Sequence, residues 1–238
     1  TMPALGLSEW EINRLTLYLF SLRNHNYPEA FWPKDRLLVE RFGHREFSAD
    51  GESLYRTFCS SCHGASGQGM RYAGMPAFPA ITSADFLAIA PDSFIVATIR
   101  HGRPGRRMPE WGEKAGGLRR AEIDSIAAFV RHLGGVQAIP DVRPPRWARG
   151  DIALGERLYK VQCSGCHGSR GQGGEGVSLN NPVLLAGAGD TYLFRTIADG
   201  RRGTEMKAFA DASTATAAMS PAEIESIISF IRTWEKKP

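Results

Sequence analysis

Long apolar runs are missing from this sequence of 238 residues. None approaches the roughly 20 consecutive apolar residues that a bilayer-spanning helix needs. Nor does Thr1 open a charged-then-apolar leader, so the expectation is a soluble chain, processed or truncated ahead of Thr1. Phosphate-loop chemistry is missing too. Gly-x-Gly runs occur within residues 64–74 and 168–176, but no predicted strand precedes them and no Walker lysine follows. Cysteine is scarce: there are four, and every one falls in one of two short motifs.

Those motifs are Cys59-Ser60-Ser61-Cys62-His63 and Cys163-Ser164-Gly165-Cys166-His167, at an offset of 104 residues. At Cys-x-x-Cys-His spacing two thiols can add to the vinyl groups of one haem while the adjacent histidine reaches its iron. A redox dithiol uses the same Cys-x-x-Cys. So does half a zinc site, but zinc wants four converging ligands and no cysteine remains to complete either site separately. Pooling both pairs around one zinc would leave His63 and His167 unexplained. Two covalent haems, one per motif, are therefore expected. Each would also serve as core for a small domain. Their acidic propionates would cancel most of the formal net charge of +4, which leaves nucleic-acid binding without support.

Further segments recur in step with the motifs. Gly51-Glu52-Ser53-Leu54-Tyr55 and Gly155-Glu156-Arg157-Leu158-Tyr159 each start eight residues ahead of the first cysteine. They read as amphipathic helices whose glycine permits close approach. Pro79 and Pro182 follow their histidines by 16 and 15 residues. A carbonyl near each is the expected acceptor for the histidine ring N–H that iron does not use. Asp92–Gly102 and Asp190–Gly200 read as helices with Asp and Gly as capping choices. Six residues after each glycine stands Met108 or Met206, the expected sixth ligands. Trp111 and Phe209, three residues further on, are expected to cover the haem on that side. Met70 and Met75 follow His63 too closely to return on the far face, and Met219 has no partner at a matching place. Closing helices carry Ile123, Ile126, Val130 and Leu133 in one half and Ile224, Ile227, Ile231 and Trp234 in the other. Ser220 to Glu223 is a capping box, whereas the first half has Arg119 at the cap. Arg100, Arg103, Arg106 and Arg107 precede Met108, and Arg201 and Arg202 precede Met206. They suit propionates or an acidic partner, and equally suit solvated loop charges.

Residues 1–23 repeat the closing pattern, with Met2-Pro3, a Ser8 to Glu11 capping box and Ile12, Leu15, Leu19 and Leu22 on one face. The expectation is a remnant of a preceding unit whose own motif lies upstream of Thr1. The organisation expected is this remnant, a linker at 24–46, a haem domain at 47–133, a proline-containing linker at 134–150 and a second haem domain at 151–238.

From about Phe47 to Trp234 these residues resemble class I c-type cytochromes in tandem, in the manner of dihaem or trihaem bacterial cytochromes c. The resemblance implies an all-α fold: two tandem cytochrome c domains, each wrapped around its haem, with first and last helices crossing where Gly51 and Tyr55 meet Phe129, and Gly155 and Tyr159 meet Phe230. Haem attachment outside the cytoplasmic membrane is implied as well, hence a periplasmic location or the membrane's outer face. Lys207 departs from the Met-Pro pattern of Met108-Pro109. The function implied is one-electron transfer through His63/Met108 and His167/Met206 ligated haems, with redox proteins as donor and acceptor. Alternatives are the haem subunit of a larger dehydrogenase or quinol-oxidising membrane complex, and a dihaem peroxidase, which matched methionines in both halves disfavour.

Overall fold

The computed structural model describes Ser8, Trp10, Glu11, Arg14, residues 50–212 and residues 217–235. It divides into a unit of Thr1–Ala49 and a unit of Asp50–Pro238. In the first, the Ser8 amide donates to Glu11 Oε2 (2.8 Å) and the Glu11 amide donates back to Ser8 Oγ (3.3 Å), the two halves of a capping box. Met2 and the apolar face expected for this helix lie outside the described residues.

The second unit is helical, and among the described residues extended pairing is limited to isolated bridges, Met70 with Phe78 and Gly112 with Leu118. Its first half runs α1 (Gly51–Phe58), α2 (Ser60–His63), α3 (Ala84–Leu87), α4 (Asp92–His101) and α5 (Arg120–Gly134). Its second half repeats the order as α6 (Ile152–Gln162), α7 (Ser164–His167), α8 (Pro182–Gly187), α9 (Asp190–Asp199) and α10 (Pro221–Arg232). Local chemistry sets the ends. Asp50 caps α1 by accepting from the Ser53 amide, Asp151 caps α6 from the Ala153 and Leu154 amides, and Ser220 and Glu223 exchange bonds at α10. At α5 Arg119 offers no side-chain acceptor, although Glu122 still accepts from the Arg119 amide at 2.7 Å.

Ile123, Ile126 and Val130 on α5, and Ile224, Ile227 and Ile231 on α10, are buried, as helical spacing requires of one face. These faces receive α1 and α6. A Cβ at Gly51 would lie 2.1 Å from the Ser125 carbonyl oxygen, and one at Gly155 would lie 1.9 Å from that of Ser226, so only glycine lets the backbones come so close. Beside each crossing the rings of Tyr55 and Phe129 sit 5.5 Å apart, and those of Tyr159 and Phe230 5.4 Å apart.

Asp92 and Asp190 do not cap their helices. Pro91 and Gly189 hold the cap positions, and each Asp sits in the first turn facing an arginine of the closing helix. Arg131 Nε donates to Asp92 (2.6 Å) and its other nitrogens to the Leu87 and Ala90 carbonyls. Arg232 repeats this with Asp190 (2.8 Å) and the Leu185 and Ala188 carbonyls. A guanidinium, buried in Arg131 and half-buried in Arg232, thus ties each closing helix to the start of α4 or α9 and the turn before it.

The halves meet through equivalent positions. Phe94 and Tyr192, 98 residues apart, pack with centroids 4.8 Å apart and rings tilted by 42°, and Phe86 packs edge-on against both. Arg202 pairs with Asp85 at 2.7 Å on one flank, and Asn181 donates to the Pro104 carbonyl on the other.

Candidate haem sites

Each motif forms one helical turn directly after a longer helix. Cys59 and Cys163 are at once the C-caps of α1 and α6 and the N-caps of α2 and α7, which brings Cys62 with His63, and Cys166 with His167, onto the short turn. The turn is anchored from behind: Tyr55 Oη donates to the Gly64 carbonyl and Tyr159 Oη to that of Gly168, both at 2.7 Å.

The histidines are oriented alike. His63 Nδ1 lies 3.0 Å from the Pro79 carbonyl oxygen, and His167 Nδ1 lies 2.8 Å from that of Val177. A carbonyl can only accept, so Nδ1 carries the hydrogen and Nε2 keeps its lone pair for a metal. Burial pushes both imidazoles below their ordinary pKa, against the opposing pull of the carbonyl bond, which favours the neutral, ligating form.

Pro182 is the correction. It is not the acceptor for His167 but opens α8 behind the cap Asn181, in the place where Ala84 opens α3. The repeat offset falls from 104 to 98 inside the loop after the histidine, before Pro79 rather than after it, so the residue matching Pro79 is Val177. Because the bond uses a backbone oxygen, nothing selects the side chain, and proline was a misleading marker.

The methionine loops share one scaffold. Arg103 N donates to Met108 O, Trp111 N to Ile99 O and Gly112 N to Arg100 O in the first half. Arg201 N to Met206 O, Phe209 N to Ile197 O and Ala210 N to Ala198 O repeat them in the second, so Lys207 in place of Pro109 leaves the loop closure unchanged. Met108, Trp111, Met206 and Phe209 are all half-buried against the hydrophobic core. Trp111 also packs on Phe58, with centroids 5.2 Å apart. Among the rivals, Met75 is exposed and Met70 bridges to Phe78. Met219 is buried and does have a counterpart. Its amide donates to Phe209 O as that of Leu118 donates to Trp111 O, so it is core filler in a leucine's place.

The donor chemistry suits haem better than its competitors. Burial first, and the neighbouring cysteine second, push the Cys59 and Cys163 thiols up to about 12. A redox dithiol wants the opposite shift. No cluster of three or more His, Cys, Asp or Glu able to hold a metal occurs among the described residues, so the pooled zinc site is not assembled. Buried and without partners in the first half are Thr98 Oγ1, Arg103 Nη1 and Arg107 Nη1. Donors of this kind, which the sequence did not single out among six arginines, call for an anionic group such as a porphyrin carboxylate.

The sequence model of the family described as "Cytochrome C oxidase, cbb3-type, subunit III" matches residues 47–130 and again 150–231, once over each repeat. The chain belongs to this family. It is a tandem c-type cytochrome. Similar members include the cbb3-type cytochrome c oxidase subunit FixP of Bradyrhizobium diazoefficiens, 30% identical over 164 residues, covering 65% of this chain and 52% of that protein. The CcoP subunit of an Azospirillum species is 31% identical over 173 residues, covering 65% and 53%. The cytochrome bc1 complex cytochrome c subunit of Corynebacterium diphtheriae is 24% identical over 204 residues, covering 79% and 67%. The chain spans about half the length of the cbb3-type relatives it matches. Among solved structures, a chain of the Kuenenia stuttgartiensis reducing HAO-like protein complex aligns with a TM-score of 0.48 at 19% identity, covering 78% of this chain and 96% of that one, a likeness too loose to build on.

Proposed function

We propose that the chain is a one-electron relay holding two haems, one in residues 47–133 and one in 151–238. Cys59 and Cys62 tether the first and Cys163 and Cys166 the second. His63 with Met108, and His167 with Met206, would supply the ligands that hold the two irons. Haem supplies an iron that changes charge by one electron, and a thioether ligand favours its reduced form. The chain's own task is to keep that iron closed. Each imidazole is fixed by its carbonyl bond, each methionine is carried on a loop pinned at both ends, and Trp111 or Phe209 covers the same side. The observation that carries the reading is the repeated Nδ1 to carbonyl bond, 3.0 Å and 2.8 Å, which leaves two equivalent Nε2 atoms free.

Intact mass together with oxidised and reduced spectra tests it. Two haem masses and a methionine-to-iron charge-transfer band are expected; a mass equal to the bare polypeptide ends the reading. Cyanide uptake separates it from a peroxidase. The wild-type ferric protein should resist cyanide, and Met206→Ala should bind it at the second site.

The named roles of the relatives favour a place beside a larger respiratory membrane complex, on the periplasmic or outer face, with redox proteins as donor and acceptor. Among the described residues no helix is long and apolar enough to cross a membrane. Association would then be through protein contacts or through chain outside these residues. Copurification of oxidase subunits with the full-length protein is the expected result, and a carrier that purifies alone from membranes and soluble fraction alike would refute it.

A further inference from the structure

The two halves agree so closely in backbone that their differences in buried charge stand out. At an offset of 98 residues Thr98 matches Thr196, Arg103 matches Arg201, and Arg107 matches Glu205. In the second half the first two positions satisfy each other: Arg201 Nη2 donates to Thr196 Oγ1 at 2.7 Å, and Nη1 donates to the Asp85 carbonyl at 2.6 Å. The first half lacks this bond. Thr98 Oγ1 and Arg103 Nη1 are both buried there with no partner, and so is Arg107 Nη1. Arg103 lies over the Phe94 ring at 5.4 Å. Arg107 lies over Phe78 at 4.0 Å and spends Nη2 on the Pro76 carbonyl. Glu205, by contrast, is exposed. Among the described residues, the half-buried cationic side chains with buried unused donors therefore lie in the first half.

Unpaired buried donors cost stability unless an acceptor arrives, and for two guanidinium groups the fitting acceptor is anionic. Resting on the relay reading above, we infer that the unused donors of Arg103, Arg107 and Thr98 serve carboxylates of the first half's haem, a provision the second half does not match, and that the first site therefore has the higher reduction potential of the two. Fixed positive charge favours the iron state of lower charge, and a desolvated cation acts more strongly than one screened by water. In the second half Arg201 keeps its charge but spends these donors on Thr196 and the Asp85 carbonyl, and the Arg107 position carries the opposite charge, so the net stabilisation is smaller. At equilibrium a single electron shared by the pair resides on the first half.

Spectroelectrochemical titration of the haem-loaded protein tests this. Two one-electron waves are expected, with an equilibrium constant for exchange between the sites of about tenfold or more, equivalent to ~59 mV for one electron. Arg107→Gln should lower the upper wave and leave the lower one in place. Glu205→Arg, at an exposed position where folding is not at stake, should raise the lower wave alone and narrow the gap. Coincident wild-type waves overturn the proposal, as does Arg107→Gln moving the lower wave or Glu205→Arg moving the upper one. Each of these leaves the relay reading standing, since both sites still titrate. A protein without covalent haem would overturn both.

Discussion

Replacing Gly155 with alanine tests the helix crossing on which the second half is built. The added Cβ would sit 1.9 Å from the Ser226 carbonyl oxygen and 2.5 Å from its carbon. A comfortable C···O approach is about 3.3–3.6 Å, so α6 and α10 must separate by roughly 1.4 Å or more. Neither atom can turn aside, because one is fixed to Cα and the other is backbone. Separation would loosen Tyr159 from Phe230, now 5.4 Å apart, and Tyr159 from the Gly168 carbonyl behind the motif turn. Overpacking typically costs about 1–3 kcal/mol, while alanine regains about 0.5–1 kcal/mol of helix preference. A net loss of about 1–2 kcal/mol is expected. Gly165→Ala is the internal control. It lies in α7 within the second motif, with nothing within 4 Å of its would-be Cβ, and should be neutral or slightly stabilising. Urea unfolding of the haem-loaded protein followed by circular dichroism gives both values. Gly155→Ala matching the wild type, or Gly165→Ala proving the more damaging, would refute the argument.

Arg232→Met should cost about 3–5 kcal/mol, because it strands Asp190, whose side chain is 2% exposed, as a buried charge without its partner. Arg131→Met should cost clearly less, since Asp92 is 71% exposed and can turn to water; thermal unfolding of the two variants ranks them. In the haem-free chain, where no iron occupies Nε2, acid should act through the histidines. Both are held below their ordinary value of 6.5, so the unfolded chain binds more protons than the folded one beneath that pH. Their contribution is present in full above about 6.5 and is lost as pH falls toward the depressed folded values. Stability of the haem-free chain measured from pH 8 down to 4 should decline below about 6.5, and a flat profile through that range would contradict the burial of the two imidazoles.

Much of the molecule was legible without coordinates because it is written in side chains whose chemistry admits few uses. Cys-x-x-Cys-His could be read as a site, glycine at positions 51 and 155 as a close approach, and Ser220 with Glu223 as a helix start. The repeat also paired Met108 with Met206, whose loops close through matching backbone bonds. Other features escaped for identifiable reasons. The acceptor for His167 is a main-chain oxygen, and every residue has one. The Arg131 and Arg232 clasps join residues about 40 positions apart, and sequence spacing along one helix carries no trace of such a pairing. Met219 seemed to lack a counterpart only because Leu118 matches it across a change of register.

The sequence by itself determined the kind of protein: two Cys-x-x-Cys-His motifs, their repeat, the helices between them and the family that follows, since motif spacing and apolar periodicity are local properties of a chain. Tertiary structure alone decided that Val177 rather than Pro182 orients one histidine, that equivalent aromatic positions of the halves pack on each other, and that Arg201 finds Thr196 while Arg103 leaves Thr98 unpaired. Burial and partner choice depend on what the rest of the fold brings within reach, and two repeats with matching backbones can still differ in which charges are left without an answer.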